Sequence, residues 1–199
     1  MKHLILSILS ILVLQSLALA GAPPGFTALF NGKDLTGWKH DAEADQHWKV
    51  VDGVITYDGK NKNLPTEKNY KDFVLMVDWK IDKGGDSGIY LHGQPQVQIW
   101  DNPIGSGGLY NDHNQPKKNV DRPVGEWNHF TIVMINNRVT VIENGIRVVN
   151  NLPMHSINGV PPTGTIELQH HNSPLWFRNI YIREFGLTQP QTPSRRLYP

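Results

Sequence analysis

Five ionisable side chains fall in stretches whose spacing puts them on strand faces. Asp86, His92 and Asp101 lie within GGDSGIYLHGQPQVQIWD, residues 84–101, and Glu167 and His171 lie within GTIELQHHNSPLW, residues 164–176. Carboxylates and imidazoles are the groups that move protons at neutral pH. Amides and rings accompany them. Because side chains alternate along an extended chain, Ile89 and Leu91 take one side while Tyr90 and His92 take the other. Val97 and Ile99 then fall in the apolar phase, leaving Gln96, Gln98 and Trp100 together with Asp101 at the strand's end. Further on, Ile166 and Leu168 point inward, and Glu167, Gln169 and His171 share the outward side. His170 points away from His171, so the pair cannot easily hold one ion. A face of amides, an imidazole and aromatic rings suits a polyhydroxylated ligand, whose hydroxyls need donors and acceptors while its C–H faces lie on rings. A solvated outer sheet face would show the same alternation without a ligand.

The elements that must position these residues all read as β-strands. HWKVVDGVITY, residues 47–57, is a hairpin pattern around Asp52-Gly53, with Trp48, Val50 and Val54 expected in the core. Residues 70–82 alternate with Phe73, Leu75, Val77, Trp79 and Ile81 on one side. Residues 127–150 read as three strands broken at Asn136-Asn137 and Asn144-Gly145, and residues 164–185 as two more. Residues 58–69 are a polar loop by composition. The irregular run 102–126 carries Tyr110, Asp112 and His113, and a loop of this length is expected to be either functional, as a lid would be, or disordered. No helical period longer than a turn or two follows residue 20. Strands recurring every ~8–12 residues indicate an all-β fold, a two-sheet antiparallel β-sandwich.

The chain has 199 residues and no cysteine. Lys2 and His3, the apolar run 4–14 and Ala18-Leu19-Ala20 have the form of a secretory signal, cleaved before Gly21. The expected organisation is therefore a signal peptide (1–20), a single domain (21–186) and a C-terminal tail (187–199). The mature chain would be periplasmic or extracellular, with no membrane span, since the apolar run is shorter than the ~20 residues a span needs. Losing Lys2 leaves 18 basic residues against 18 acidic. With no basic run there is no nucleic-acid footprint.

Five motifs in order, NGKDLTGW, WKVVDGVI, DSGIYLHG with QVQIWDN, GEWNHFTI with ENGIRVV, and IELQHHNSPLWFRNIYI, resemble those of the 3-keto-disaccharide hydrolase family. The resemblance runs from Phe26 to Phe185. It implies a concanavalin A-like jelly roll and metal-assisted hydrolysis or lysis of sugars oxidised at C3. The chain departs from the family pattern at Asp86, where Asn is usual, at His92, where Arg is usual, and at Pro95-Gln96, where Tyr-Glu is usual. A ketone at C3 acidifies the C2 proton, so a base can remove it and the C1 substituent can leave. On this reading His171 or Asp101 is the base and Glu167 the third catalytic candidate. Tyr90, His92, Gln96, Gln98, Trp100, Gln169, Trp176 and His113 would bind an oligosaccharide or glycoside. A divalent ion, of unspecified identity, would hold the developing enolate, with Asp86, Asp101 and His171 as candidate ligands. Two alternatives stand beside it. One is a non-catalytic glycan-binding domain stacking sugars on Tyr90, Trp100 and Trp176, and the other is a conventional glycosidase with paired carboxyls.

Overall fold

The computed structural model describes residues 21–60, 62–93, 96–110, 115–154 and 161–186. The expected signal peptide, the C-terminal tail and His113 lie outside the described residues. Among those described, the chain forms β1 (Thr27–Ala28), α1 (Ala44–His47), β2 (Trp48–Val51), β3 (Val54–Tyr57), β4 (Leu64–Pro65), β5 (Phe73–Ile81), β6 (Asp86–Leu91), β7 (Gln96–Trp100), β8 (Leu109–Tyr110), β9 (Asn128–Ile135), β10 (Arg138–Glu143), β11 (Ile146–Pro153), β12 (Ile166–Leu168) and β13 (Leu175–Glu184). The strands make two antiparallel sheets, the expected sandwich. The larger runs β11-β10-β9-β5-β13-β3-β2, with β1 on β13, and the smaller runs β4-β12-β6-β7-β8.

Turn chemistry fixes the hairpins. Asp52 and Gly53 have φ of 50° and 77°, and Asn136, Asn137, Asn144 and Gly145 have φ between 49° and 83°. Asn, Asp and Gly adopt this left-handed backbone most cheaply, and paired positive φ matches the twist of the flanking strands. Alternation then builds the core. The five apolar residues of β5 expected inward are all buried, and they pack against Ile89, Leu91, Val97, Ile99, Ile166 and Leu168 of the smaller sheet. Trp48 is buried as expected and Val50 packs at the core's edge, but Val54 is only half-buried. The register explains this: Val54 pairs with exposed Val51, and Ile55, opposite Val50, takes the inward place. The polar loop 58–69 contributes β4, an edge strand on β12. With inward positions filled by apolar side chains, the polar residues of β6, β7 and β12 are left together on the outer face of the smaller sheet.

Candidate functional site

Cross-strand register lays out this face in rows. Glu167, Tyr90, Gln96 and Tyr110 stand side by side across β12, β6, β7 and β8, Gly88 pairs with Gln98, and Asp86 pairs with Trp100. Gln169 continues the ladder by donating its backbone N–H to Gly88 O at 2.9 Å. Gly88 is glycine for a packing reason. A Cβ there would lie 2.7 Å from Gln96 Cδ and 3.0 Å from Val97 O, so only a bare backbone lets the Gln96 side chain lie across it.

The polar groups form two connected sets. In the first, Gln96 Nε2 donates to Gln98 Oε1 (2.6 Å) and Gln98 Nε2 donates to Asp86 Oδ1 (2.8 Å). Asp86 Oδ2 is 4.0 Å from His171 Nε2, an ion-pair distance. Both glutamines are buried, at 2% and 4% exposure, so the relay is rigid, whereas His171 is open to solvent. The turn carrying His171 is pinned to β6: Asp86 N–H donates to Ser173 Oγ (3.0 Å), and Ser87 Oγ donates to Gln169 O (2.9 Å). In the second set, Glu167 accepts one bond on each carboxylate oxygen, from Asn63 Nδ2 (3.0 Å) and Thr165 Oγ1 (2.8 Å). Asn63 Oδ1 accepts the His170 N–H (3.0 Å) and Nδ1–H (2.7 Å). Beside Glu167, the Tyr90 hydroxyl accepts Gln169 Nε2–H at 3.0 Å. Burial raises the Tyr90 phenol above its ordinary value, against the lowering effect of that bond, so the hydroxyl keeps a proton to donate.

A family described as the 3-keto-alpha-glucoside-1,2-lyase-like domain matches residues 25–183. The chain belongs to this family. It is 24% identical to the 3-keto-disaccharide hydrolase of Bacteroides thetaiotaomicron, over 85% of this chain and 82% of that protein. A crystal structure from Parabacteroides distasonis, provisionally assigned as a glycosyl hydrolase, superposes with a TM-score of 0.69 at 31% identity, covering 83% of this chain and 86% of the other. A carbohydrate-binding module from Bacillus subtilis, CBM66, superposes at 0.51 with 12% identity, over 80% of this chain and 96% of the module, a likeness of fold alone.

This lyase-like domain brings together Tyr90, Gln96, Gln98, Trp100, Glu167, Gln169, His171 and Asp86, and places three other expected residues elsewhere. His92 does not share the face of Tyr90. Its φ of 53° ends β6 and turns the ring inward, where it is 3% exposed, meets Phe73 edge-on at 6.1 Å, and has Nδ1 3.2 Å from Pro161 O. Burial holds the imidazole below its ordinary value. Asp101, one residue beyond Trp100, turns to the sandwich's end and clamps a turn by accepting Gly84 N–H at 2.8 Å. Trp176 is on the outer face of the larger sheet, because Leu175 and Phe177 take the inward phase of β13; Lys80 Nζ lies 4.5 Å over its ring. Asn63, Thr165, Ser87 and Ser173 are the members that sequence spacing did not single out. No group of three or more His, Asp or Glu side chains converges as a metal cage among the described residues.

Proposed function

We propose that the chain is an exported carbohydrate-active enzyme that cleaves glycosides already oxidised to a ketone at C3. Family membership and the name of the Bacteroides relative support the substrate class. The observation that carries the chemistry is the buried amide relay that fixes Asp86 beside solvent-facing His171. An oriented carboxylate next to an open imidazole is a base with a counter-charge, the pairing a proton abstraction needs.

In this mechanism His171 takes the C2 proton and Asp86 stabilises the imidazolium. The electron pair passes into the C3 carbonyl as an enolate, whose oxygen the Tyr90 hydroxyl can hydrogen-bond. The enolate then re-forms the ketone, the C1–C2 double bond forms, and the C1–O bond breaks. The leaving oxygen recovers the proton from His171, which restores the base, and addition of water across the new double bond completes hydrolysis. Glu167, held through both oxygens, accepts sugar hydroxyls on its remaining lone pairs. A cavity of about 280 Å³ lined by Lys39, His40, Asp41, Lys62, Asn63 and Pro65 gives room beside Asn63 for the departing group. A divalent ion would find two protein ligands here, Asp86 and His171, with its other ligands from substrate oxygens and water, and would polarise the ketone; the proton steps above do not pass through it.

Paired-carboxyl glycosidase chemistry suits this face less well. Asp86 and Tyr90 are four residues apart on β6, about 13 Å at ~3.3 Å per residue, and Glu167 stands opposite Tyr90. Ordinary glycosidases set their two carboxyls ~5–9.5 Å apart.

The test is turnover of a 3-keto-glucoside against its parent glucoside by the mature protein, with and without a chelator. Cleavage of the keto form alone supports the proposal, equal cleavage of both points to an ordinary glycosidase, and binding without turnover points to a glycan-binding domain. Export has its own test, an N-terminus at Gly21 by mass spectrometry of the secreted chain; a retained Met1 contradicts it.

A further inference from the structure

The glutamines of the smaller sheet act within the protein rather than on a sugar directly. Gln96 and Gln98 are 2% and 4% exposed, and each spends an amide N–H inside the face, on Gln98 Oε1 (2.6 Å) and Asp86 Oδ1 (2.8 Å). Gln169 is spent in the same way. It gives an Nε2–H to the Tyr90 hydroxyl at 3.0 Å, and its Oε1 is buried with no donor among the described residues. A ligand on the face does not reach a buried oxygen, so the effect of Gln169 on a ligand passes through Tyr90, which is only half-buried.

A phenol hydroxyl both donates and accepts until a neighbour decides between the two. With Gln169 donating to its oxygen, Tyr90 is left to donate, and no acceptor among the described residues takes its hydrogen. The charged groups around it have the opposite character. Glu167 stands across from Tyr90 in the pairing of β12 with β6, and Asp86 lies at the other end of β6. Ionised carboxylates only accept, so they suit the hydroxyls of a sugar ring. The ligand oxygen that meets Tyr90 must instead accept. A ketone oxygen does so with lone pairs alone. A hydroxyl on the same carbon would bring a hydrogen of its own towards a phenol oxygen that already accepts from Gln169, and a site whose polar groups mismatch a ligand in this way binds it less well.

We infer that Gln169 is a specificity-determining positioning residue, which fixes Tyr90 as a donor and thereby favours a C3 ketone over a C3 hydroxyl. The inference rests on the proposed reaction for which ligand oxygen faces Tyr90, but it concerns recognition and is tested apart from turnover. 1,5-Anhydroglucitol and its 3-keto derivative carry hydrogen in place of a leaving group at C1, so neither is cleaved. Calorimetric titration of the wild-type protein should show the 3-keto form binding at least about fivefold more tightly, the worth of roughly one hydrogen bond. Gln169→Met keeps an unbranched side chain of similar length, removes the N–H and frees the Tyr90 oxygen to accept. The preference should vanish there because the hydroxyl form binds more tightly, a gain that mere structural damage does not give. In Tyr90→Phe it should vanish because the 3-keto form binds more weakly, which keeps the inference testable if the Gln169 variant folds poorly. Equal affinities in the wild-type protein, a preference for the hydroxyl form, binding of neither, or a preference that survives in either folded variant would each overturn the inference. A preference that vanishes in the variants of a protein that cleaves no 3-keto-glucoside would support it and count against the proposed reaction.

Discussion

Replacing Glu143 by Gln should stabilise the protein at alkaline pH and change little near pH 4. Glu143 ends β10 with no exposure, and neither carboxyl oxygen receives a donor among the described residues. Burial, reinforced by the negative charge of Asp121, pushes its carboxyl from 4.5 up to about 9. Between those two values the unfolded chain has released this proton while the folded protein still holds it. The unfolded state therefore binds fewer protons, and stability falls as pH rises through the window. At ~1.4 kcal/mol per pH unit, the handicap reaches at most about 6 kcal/mol near the top of the range. Below the ordinary carboxyl value both states are protonated and the handicap vanishes. A Gln at 143 has no proton to lose, and its amide N–H can replace the carboxyl O–H as donor to Asp121. Urea unfolding of both proteins at pH 4, 6 and 8 should give curves that diverge steadily with pH, the variant being the more stable at pH 8 by several kcal/mol. Parallel pH profiles would refute the reasoning, because they would mean that Glu143 titrates alike in the folded and unfolded chains.

On the smaller sheet, His171→Ala should lower kcat on a 3-keto-glucoside by about two orders of magnitude or more, the usual share of a general base, with the fold intact by circular dichroism. Asn63→Ala strips Glu167 Oε2 of its donor and His170 of its acceptor. It should raise KM severalfold and cost about 1 kcal/mol in urea unfolding, and an unchanged KM would remove Glu167 from substrate binding. Gly88→Ala forces a Cβ to within 2.7 Å of Gln96 Cδ and 3.0 Å of a backbone oxygen. The overpacking should cost about 1–3 kcal/mol, read as a lower thermal midpoint, together with a loss of turnover as the Gln96 to Asp86 relay shifts.

Local rules made most of this fold legible. The Asp-Gly, Asn-Asn and Asn-Gly turns and the period-two alternation of β5, β6, β7 and β12 are short-range properties, so they survive into the structure almost unchanged. The same alternation placed Tyr90, Gln98, Trp100, Gln169 and His171 on one face. It failed where a strand ends. At His92 a positive φ breaks the phase and drops the ring into the core, and at Asp101 a turn claims the carboxylate before it can join the face. Trp176 obeyed alternation but on the wrong sheet, since phase says which side of a strand a residue takes and nothing about which sheet the strand joins. Asn63 was invisible because it meets Glu167 across 104 residues of chain, through an edge strand of only two residues. Glu143 is the converse. Its phase, shared with Val139 and Val141, points it inward, while its type argues for the surface. Register prevails there, and the raised carboxyl is the result.

In the proposed reaction a protein base removes the C2 proton of a 3-keto-glycoside. The most direct measurement is turnover in deuterated water of 3-keto-glucosides carrying hydrogen or deuterium at C2, followed by mass spectrometry of substrate and product. Abstraction of that proton should give a primary isotope effect on kcat/KM and solvent deuterium at C2 in the hydrolysed product. Cleavage with no isotope effect and with the original C2 label fully retained would contradict it.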